Sequence, residues 1–168
     1  MSVRDVVLYP DHRLKTVCKP LAETVAGRVA IDLARDLFDT MDSFPGCVGI
    51  AAPQIGDLVR LVVIDVRGHK KARSCAGRVA LVNPTIQAAA GSVVMREGCL
   101  SIPDFTGNVR RPAEVTVSAH TPEGLPILFN CDAYEARVVQ HEIDHLNGIL
   151  FLDRVSSAKD IFPRKRYQ

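Results

Sequence analysis

The sequence predicts an α+β fold: mostly antiparallel sheets packed around a central helix that carries an H-E-x-x-H motif, with another helix towards the N-terminus. Three observations predict it. Two helical apolar patterns lie far apart in the chain, several short strand patterns fall between them, and strands and helices do not alternate regularly. The first helix is expected to start at Thr24 as N-cap and to run to about Met41, with Val29, Leu33, Leu37 and Met41 recurring every fourth residue beside Phe38. Phe44-Pro45-Gly46 breaks it. Leu58 to Val66 reads as a buried strand, because Leu61, Val62, Val63 and Ile64 are consecutive. The polar and basic stretch from Arg67 to Gly77 reads as an exposed loop. Short strands are expected over 79–82, 85–89, 114–119 and 126–131. Asp132 is expected to cap the second helix, from Ala133 to about Leu146, which Asn147-Gly148 stops.

A chain of 168 residues suits one domain with a core of its own. Its 47% hydrophobic and 24% charged content is that of an ordinary soluble globular protein. A formal net charge of +2 lacks the basic excess of a dedicated nucleic-acid binder, so no DNA partner is expected. No apolar run approaches a membrane span, and Met1 to Pro10 has no signal-peptide pattern, so a cytoplasmic location away from membranes is expected. The five cysteines, an odd number, argue for reduced thiols and against a disulfide framework.

The strongest local signal is His141-Glu142-Ile143-Asp144-His145, inside the second predicted helix. Four residues turn an α-helix by roughly 400°, so both imidazoles project from nearly one direction and can bind one cation. Glu142, beside the first imidazole, is then set to take a proton from water and pass it to a leaving nitrogen. A catalytic site wants a third protein ligand and one open position. A metzincin-type protease would carry a histidine where this chain has Phe151, and a thermolysin-like one a downstream glutamate, whereas no glutamate follows Glu142. The third ligand is therefore sought upstream. In Glu97-Gly98-Cys99-Leu100-Ser101 a cysteine thiolate suits zinc or ferrous iron, and Gly98 permits close backbone approach.

With these residues the chain resembles the peptide deformylases, whose three motifs are G-Φ-G-Φ-A-A-x-Q (Φ apolar), E-G-C-L-S and Q-H-E-x-D-H. Here they are Cys47-Val48-Gly49-Ile50-Ala51-Ala52-Pro53-Gln54, Glu97 to Ser101, and Gln140 to His145, in the same order. The likeness extends from about Val7 to Phe151. It implies a hydrolase that removes the N-formyl group from the initiator methionine of nascent polypeptides and releases formate. Cys99, His141 and His145 would bind one divalent metal ion, Fe2+ in the native form, with Zn2+, Ni2+ or Co2+ able to replace it. Glu142 would be general base and then acid, while the Gln54 amide and the Leu100 backbone N–H would hold the oxyanion. The backbone of Val48 and Gly49 would bind the formylmethionyl peptide as an added strand, and Gly98 would also belong to the substrate site. The resemblance also places Arg111 beside Asp144 as an ion pair.

Tyr134 and Val138 lie seven and three residues before His141, on its helix face, and with Val48 they would line a methionine pocket. Plain core packing is the competing reading of that stripe. The chain departs from the family at Cys47, where glycine is usual. A cysteine there would be strained if φ must be positive, with Gly46 absorbing part of the turn. The basic end, Arg164-Lys165-Arg166, would favour transient contact with the ribosome, although three such charges usually mean only a solvated end. Two rival functions share the helix motif: a zinc endopeptidase and a non-catalytic, metal-stabilised binding module. Glu142 and Gln54 count against the second, because a structural site needs neither.

Overall fold

The computed structural model describes residues 2–22 and 27–164. The expected cap at Thr24, and Lys165 and Arg166 of the basic end, lie outside the described residues. Helix α1 (Arg28–Asp42) is followed by strands β1 (Gly49–Ala51), β2 (Leu61–Asp65), β3 (Arg78–Ala90), β4 (Val93–Cys99) and β5 (Ile102–Arg111). Then come β6 (Glu114–His120), β7 (Pro126–Asp132), helix α2 (Ala133–Leu146), the single turn α3 (Phe151–Arg154) and β8 (Ile161–Pro163). One sheet runs β1-β2-β3-β6-β7 and the other β4-β5-β8, and every pairing within them is antiparallel. The architecture is α+β. No helix among the described residues is long and apolar enough to cross a membrane.

The unbroken apolar run of β2 has a direct cause: a helix covers each face of the larger sheet. Val62 and Ile64 join Leu81, Val117 and, from α2, Val139 and Ile143 in one core. Leu61 and Val63 point the opposite way, onto Ala34, Leu37 and Met41 of α1. Successive strand residues face opposite sides, so a strand sandwiched in this way needs an apolar residue at every position.

The buried face of α1 keeps Leu37 and Met41 of the expected stripe, with Leu33 and Phe38 packed against the same core, and departs from it at Val29. Ala30, Ala34, Leu37 and Met41 are buried, whereas Val29 is 56% exposed. A strict four-residue spacing overshoots each helical turn by about 40°, so Val29 and Met41 end up about 120° apart on the cylinder. The spacing of the alanine face follows the helix period and lets the backbone approach the sheet.

The second helix runs as expected, but Asp132 makes no side-chain cap. Its Oδ1 accepts from the Ser74 N–H at 3.0 Å, and Glu135 accepts from the Ser74 hydroxyl at 2.6 Å, so the 67–77 loop is tied to the start of α2. The strands expected at 79–82 and 85–89 form one irregular strand, bent at Asn83 (φ 50°). The Asn83 amide there bonds both the N–H (2.9 Å) and the carbonyl (2.8 Å) of Leu21. The β4–β5 pair was not legible in the sequence, because Gly98, Pro103, Asp104, Gly107 and Asn108 are poor strand formers. Its register runs from Val93↔Arg111 to Gly98↔Thr106 and then shifts between Gly98 and Cys99. Such bulges re-aim side chains.

Candidate active site

The bulge lies opposite α2. His141 and His145, one turn apart, have ring centroids separated by 5.0 Å, and Cys99 Sγ is 3.2 Å from His145 Nε2. One donor atom from each of Cys99, His141 and His145 lies within 4.8 Å of the other two, and all three residues are buried. Burial opposes a charge on Cys99, but the neighbouring imidazoles overcome it and hold the thiol well below its usual pKa. Burial likewise opposes protonation of His141, while contacts with Cys99 and Glu97 raise its pKa well above the usual imidazole value. The trio therefore favours thiolate, and a cation can displace the proton shared across it. Glu97 Oε2 accepts from His141 Nδ1 at 3.0 Å, which turns Nε2 towards the other donors. This donor set fits a divalent metal ion of borderline softness.

Beside the trio opens a cavity of about 440 Å³. Glu142 is in its wall, and its Oε2 is buried with no partner among the described residues. Burial pushes the Glu142 carboxyl up to about 7, against the pull of the two imidazoles. Gln54 and Leu100 also line the cavity. The Gln54 amide nitrogen lies 3.4 Å from Cys99 Sγ and 3.2 Å from Ser101 Oγ, while its Oε1 accepts from the Ala51 N–H at 2.9 Å. Gln54 thus braces its own loop and also aims an amide at the cysteine. Val48, Gly49 and Gly98 line the same cavity, as do Tyr134 and Val138. The core-packing reading of that apolar stripe holds, because Val138 belongs to the core shared by α2 and the sheet, with Val48 and Tyr134 packed on its margin, and all three side chains also border the cavity.

A Cβ built on Gly49 would come within 2.8 Å of Glu142 Oε1 and 2.9 Å of Val138 Cγ1. That close approach, not backbone freedom, is what requires glycine there. The expected strain at Cys47 is absent, because Gly46 takes the positive φ (80°) and Cys47 does not. The Cys47 thiol donates to the Gly49 carbonyl at 3.2 Å, and burial pushes its pKa up to about 12. It is not among the clustered donors.

Sequence reasoning missed the buried charge network behind the trio. The Arg111–Asp144 pair is present at 2.7 Å, but Arg111 also forks onto Glu97 at 2.6 and 2.9 Å. Arg137 bonds Glu97 as well, and Arg154 reaches Asp144 at 2.5 and 2.6 Å. The available signal was Arg137 itself, one turn before His141 on a helix face otherwise read as apolar. Truncating Glu97 would leave two guanidiniums buried without their shared carboxylate. Glu97→Ala is therefore expected to cost about 3–5 kcal/mol of stability. Urea denaturation of variant and parent measures it, and a loss below about 1 kcal/mol would contradict the shared-anchor role.

Phe151, at the position where a metzincin histidine would stand, is buried with its ring stacked 6.4 Å from that of His141. Residues 3–160 match the family described as polypeptide deformylase. A peptide deformylase of Hydrogenovibrio crunogenus is 41% identical over 160 residues, covering 95% of this chain and 89% of that protein. The crystal structure of a Legionella pneumophila peptide deformylase superposes with a TM-score of 0.84 at 39% identity, covering 94% of this chain and 89% of that one. A class I type b peptide deformylase of Acinetobacter baumannii, bound to Met-Ala-Ser, gives 0.84 at 32% identity over 92% of this chain and 100% of that one. With the family matched along nearly its whole length and the cysteine and histidine donors gathered beside a buried glutamate, the chain belongs to the polypeptide deformylase family, metal-dependent hydrolases that remove the N-formyl group from nascent peptides.

Proposed function

We propose that this single catalytic domain deformylates formylmethionyl peptides with Cys99, His141 and His145 as the metal ligands and Glu142 as the group that moves the proton. The observation that carries this reading is the juxtaposition of three clustered donors with a buried Glu142 oxygen that has no partner among the described residues, on one cavity wall. When bound, the cation supplies Lewis acidity, polarising the formyl carbonyl and acidifying water. Glu142 takes a proton from the water that attacks the formyl carbon. It returns that proton to the methionine nitrogen as the C–N bond breaks, leaving formate and a free amine. A carboxyl with a pKa of about 7 is well matched to taking and then giving a proton near neutral pH. The Gln54 amide and the Leu100 N–H hydrogen-bond the developing oxyanion. The backbone of Val48, Gly49 and Gly98 holds the peptide as an added strand, and Val48, Tyr134 and Val138 enclose the methionine side chain. Formate release from formyl-Met-Ala-Ser, with Met-Ala-Ser as control, tests the reading, and no release from metal-loaded protein would sink it.

Fe2+ is the proposed native ion, with Zn2+, Ni2+ or Co2+ as substitutes. One thiolate and two imidazoles with an open position leave ferrous iron and its sulfur ligand exposed to oxidants. Iron-loaded enzyme is accordingly expected to lose activity in air while nickel-loaded enzyme keeps it, with added oxygen on Cys99 visible by intact mass. Equal decay of both forms would remove the iron-centred account. The proposed setting is the cytoplasm, with formylated nascent chains as substrates and transient ribosome contact as they emerge.

A further inference from the structure

Three arginines line the active cavity, and their partners differ. Arg137 is engaged by Glu97 and by the carbonyls of Val109 (3.1 Å) and Val93 (3.0 Å). Arg96 lies over the Phe162 ring, its Cζ 3.5 Å from the centroid, and donates to Asn108 Oδ1 (3.0 Å) and Thr106 Oγ1 (3.3 Å). Neither of these two Arg96 acceptors is a carboxylate. Arg164 is exposed, and among the described residues its guanidinium has no hydrogen-bond or ion-pair partner, although its backbone N–H donates to the Asp104 carbonyl at 2.7 Å.

The position of Arg164 follows from the short strand before it. Pairing of Thr106 with Phe162 and of Phe105 with Pro163 ends β8 one residue before Arg164. Its guanidinium then lies against Gly98, so closely that a Cβ built on that glycine would overlap it. Gly98 immediately precedes Cys99 on the cavity wall. The carboxylates lining the cavity do not neutralise this charge: Glu97 is committed to Arg111, Arg137 and His141, and Glu142 is buried beside the donors.

We infer that Arg164, backed by Arg96, selects substrates that carry an acidic side chain within the two residues after formylmethionine. This rests on the deformylase reading, in which the peptide backbone runs along Gly98. An extended peptide there advances about 3.4 Å per residue, which keeps those two side chains near the cavity mouth. A carboxylate at the mouth forms a charge-assisted hydrogen bond with a guanidinium that has no other partner among the described residues, and a lysine is repelled. Neutral residues gain and lose nothing, so the effect is a preference and not a requirement.

The test uses metal-loaded enzyme and C-terminally amidated formyl-Met-Ala-Ser, with Asp or Lys placed in turn at the second and third positions. kcat and KM are read from formate release at low and high salt, for the parent protein and for Arg164→Glu. The better-placed Asp peptide is expected to exceed its Lys counterpart in kcat/KM by about fivefold at low salt, the upper range for a solvent-facing ion pair. The difference should lie in KM, shrink at high salt, and reverse in Arg164→Glu. A ratio within one variant is independent of the fraction of active protein, so partial misfolding would not mimic the reversal. Equal kcat/KM for Asp, Ala and Lys peptides would overturn the inference while leaving the deformylase reading intact. A rise for all peptides alike in Arg164→Glu would also overturn it, making this segment a cover over the groove. Absence of formate from every peptide would instead defeat the deformylase reading, and the inference with it.

Discussion

Glu142→Ala is expected to abolish most turnover while the divalent ion stays bound. The side chain lies in the cavity wall, one of its oxygens is buried with no partner among the described residues, and the other lining carboxylate, Glu97, is already bonded to Arg111, Arg137 and His141. Removing a positioned general acid–base costs about 10²–10⁴-fold in rate. Metal affinity should change little, because the clustered donors are Cys99, His141 and His145, and Glu142 is not one of them. Formate release and metal content measured on one preparation separate the two effects. If metal and activity fell together, Glu142 would be acting on the site's integrity and not on the proton. A Cβ at position 49 would come within 2.8 Å of Glu142 Oε1, so any side chain placed there would push the carboxylate aside. A displacement near 1 Å can cost about 100-fold.

Cys99→Ser should give the largest loss of metal, more than about 100-fold in affinity, since loss of a supporting hydrogen bond alone costs about 10–100-fold. A neutral hydroxyl replaces an anion that the two imidazoles already stabilise as thiolate. Competition against a chelator, followed by metal analysis, checks this. Retention of a full equivalent at parent affinity would assign the third ligand elsewhere. Cys47 lines the cavity too, yet its thiol is held neutral by burial, so Cys47→Ser should leave metal content close to that of the parent.

Local chemistry written in the sequence determined much of this protein. The consecutive apolar residues of β2, the helix from Ala133 to Leu146 and the four-residue spacing of His141 and His145 all follow from backbone periodicity, which acts within one element. The three motifs, read together, were enough to point to the family. The motifs also named Cys99 beside the histidines and Arg111 beside Asp144, but local periodicity could not decide how the elements carrying them meet. Cys99 joins the histidines because β4 and β5 pair with a register shift at Gly98, and those strands are rich in residues that disfavour strands. Their pairing is stabilised by partners distant in the chain, not by intrinsic propensity. The sharing of Glu97 among His141, Arg111 and Arg137, and the docking of Arg164 against Gly98, have no local periodicity at all. They arise only when α2, the small sheet and the C-terminal strand close on one another: the buried charges must find partners wherever packing leaves them, and Arg164 is carried to Gly98 by the pairing of β8 with β5.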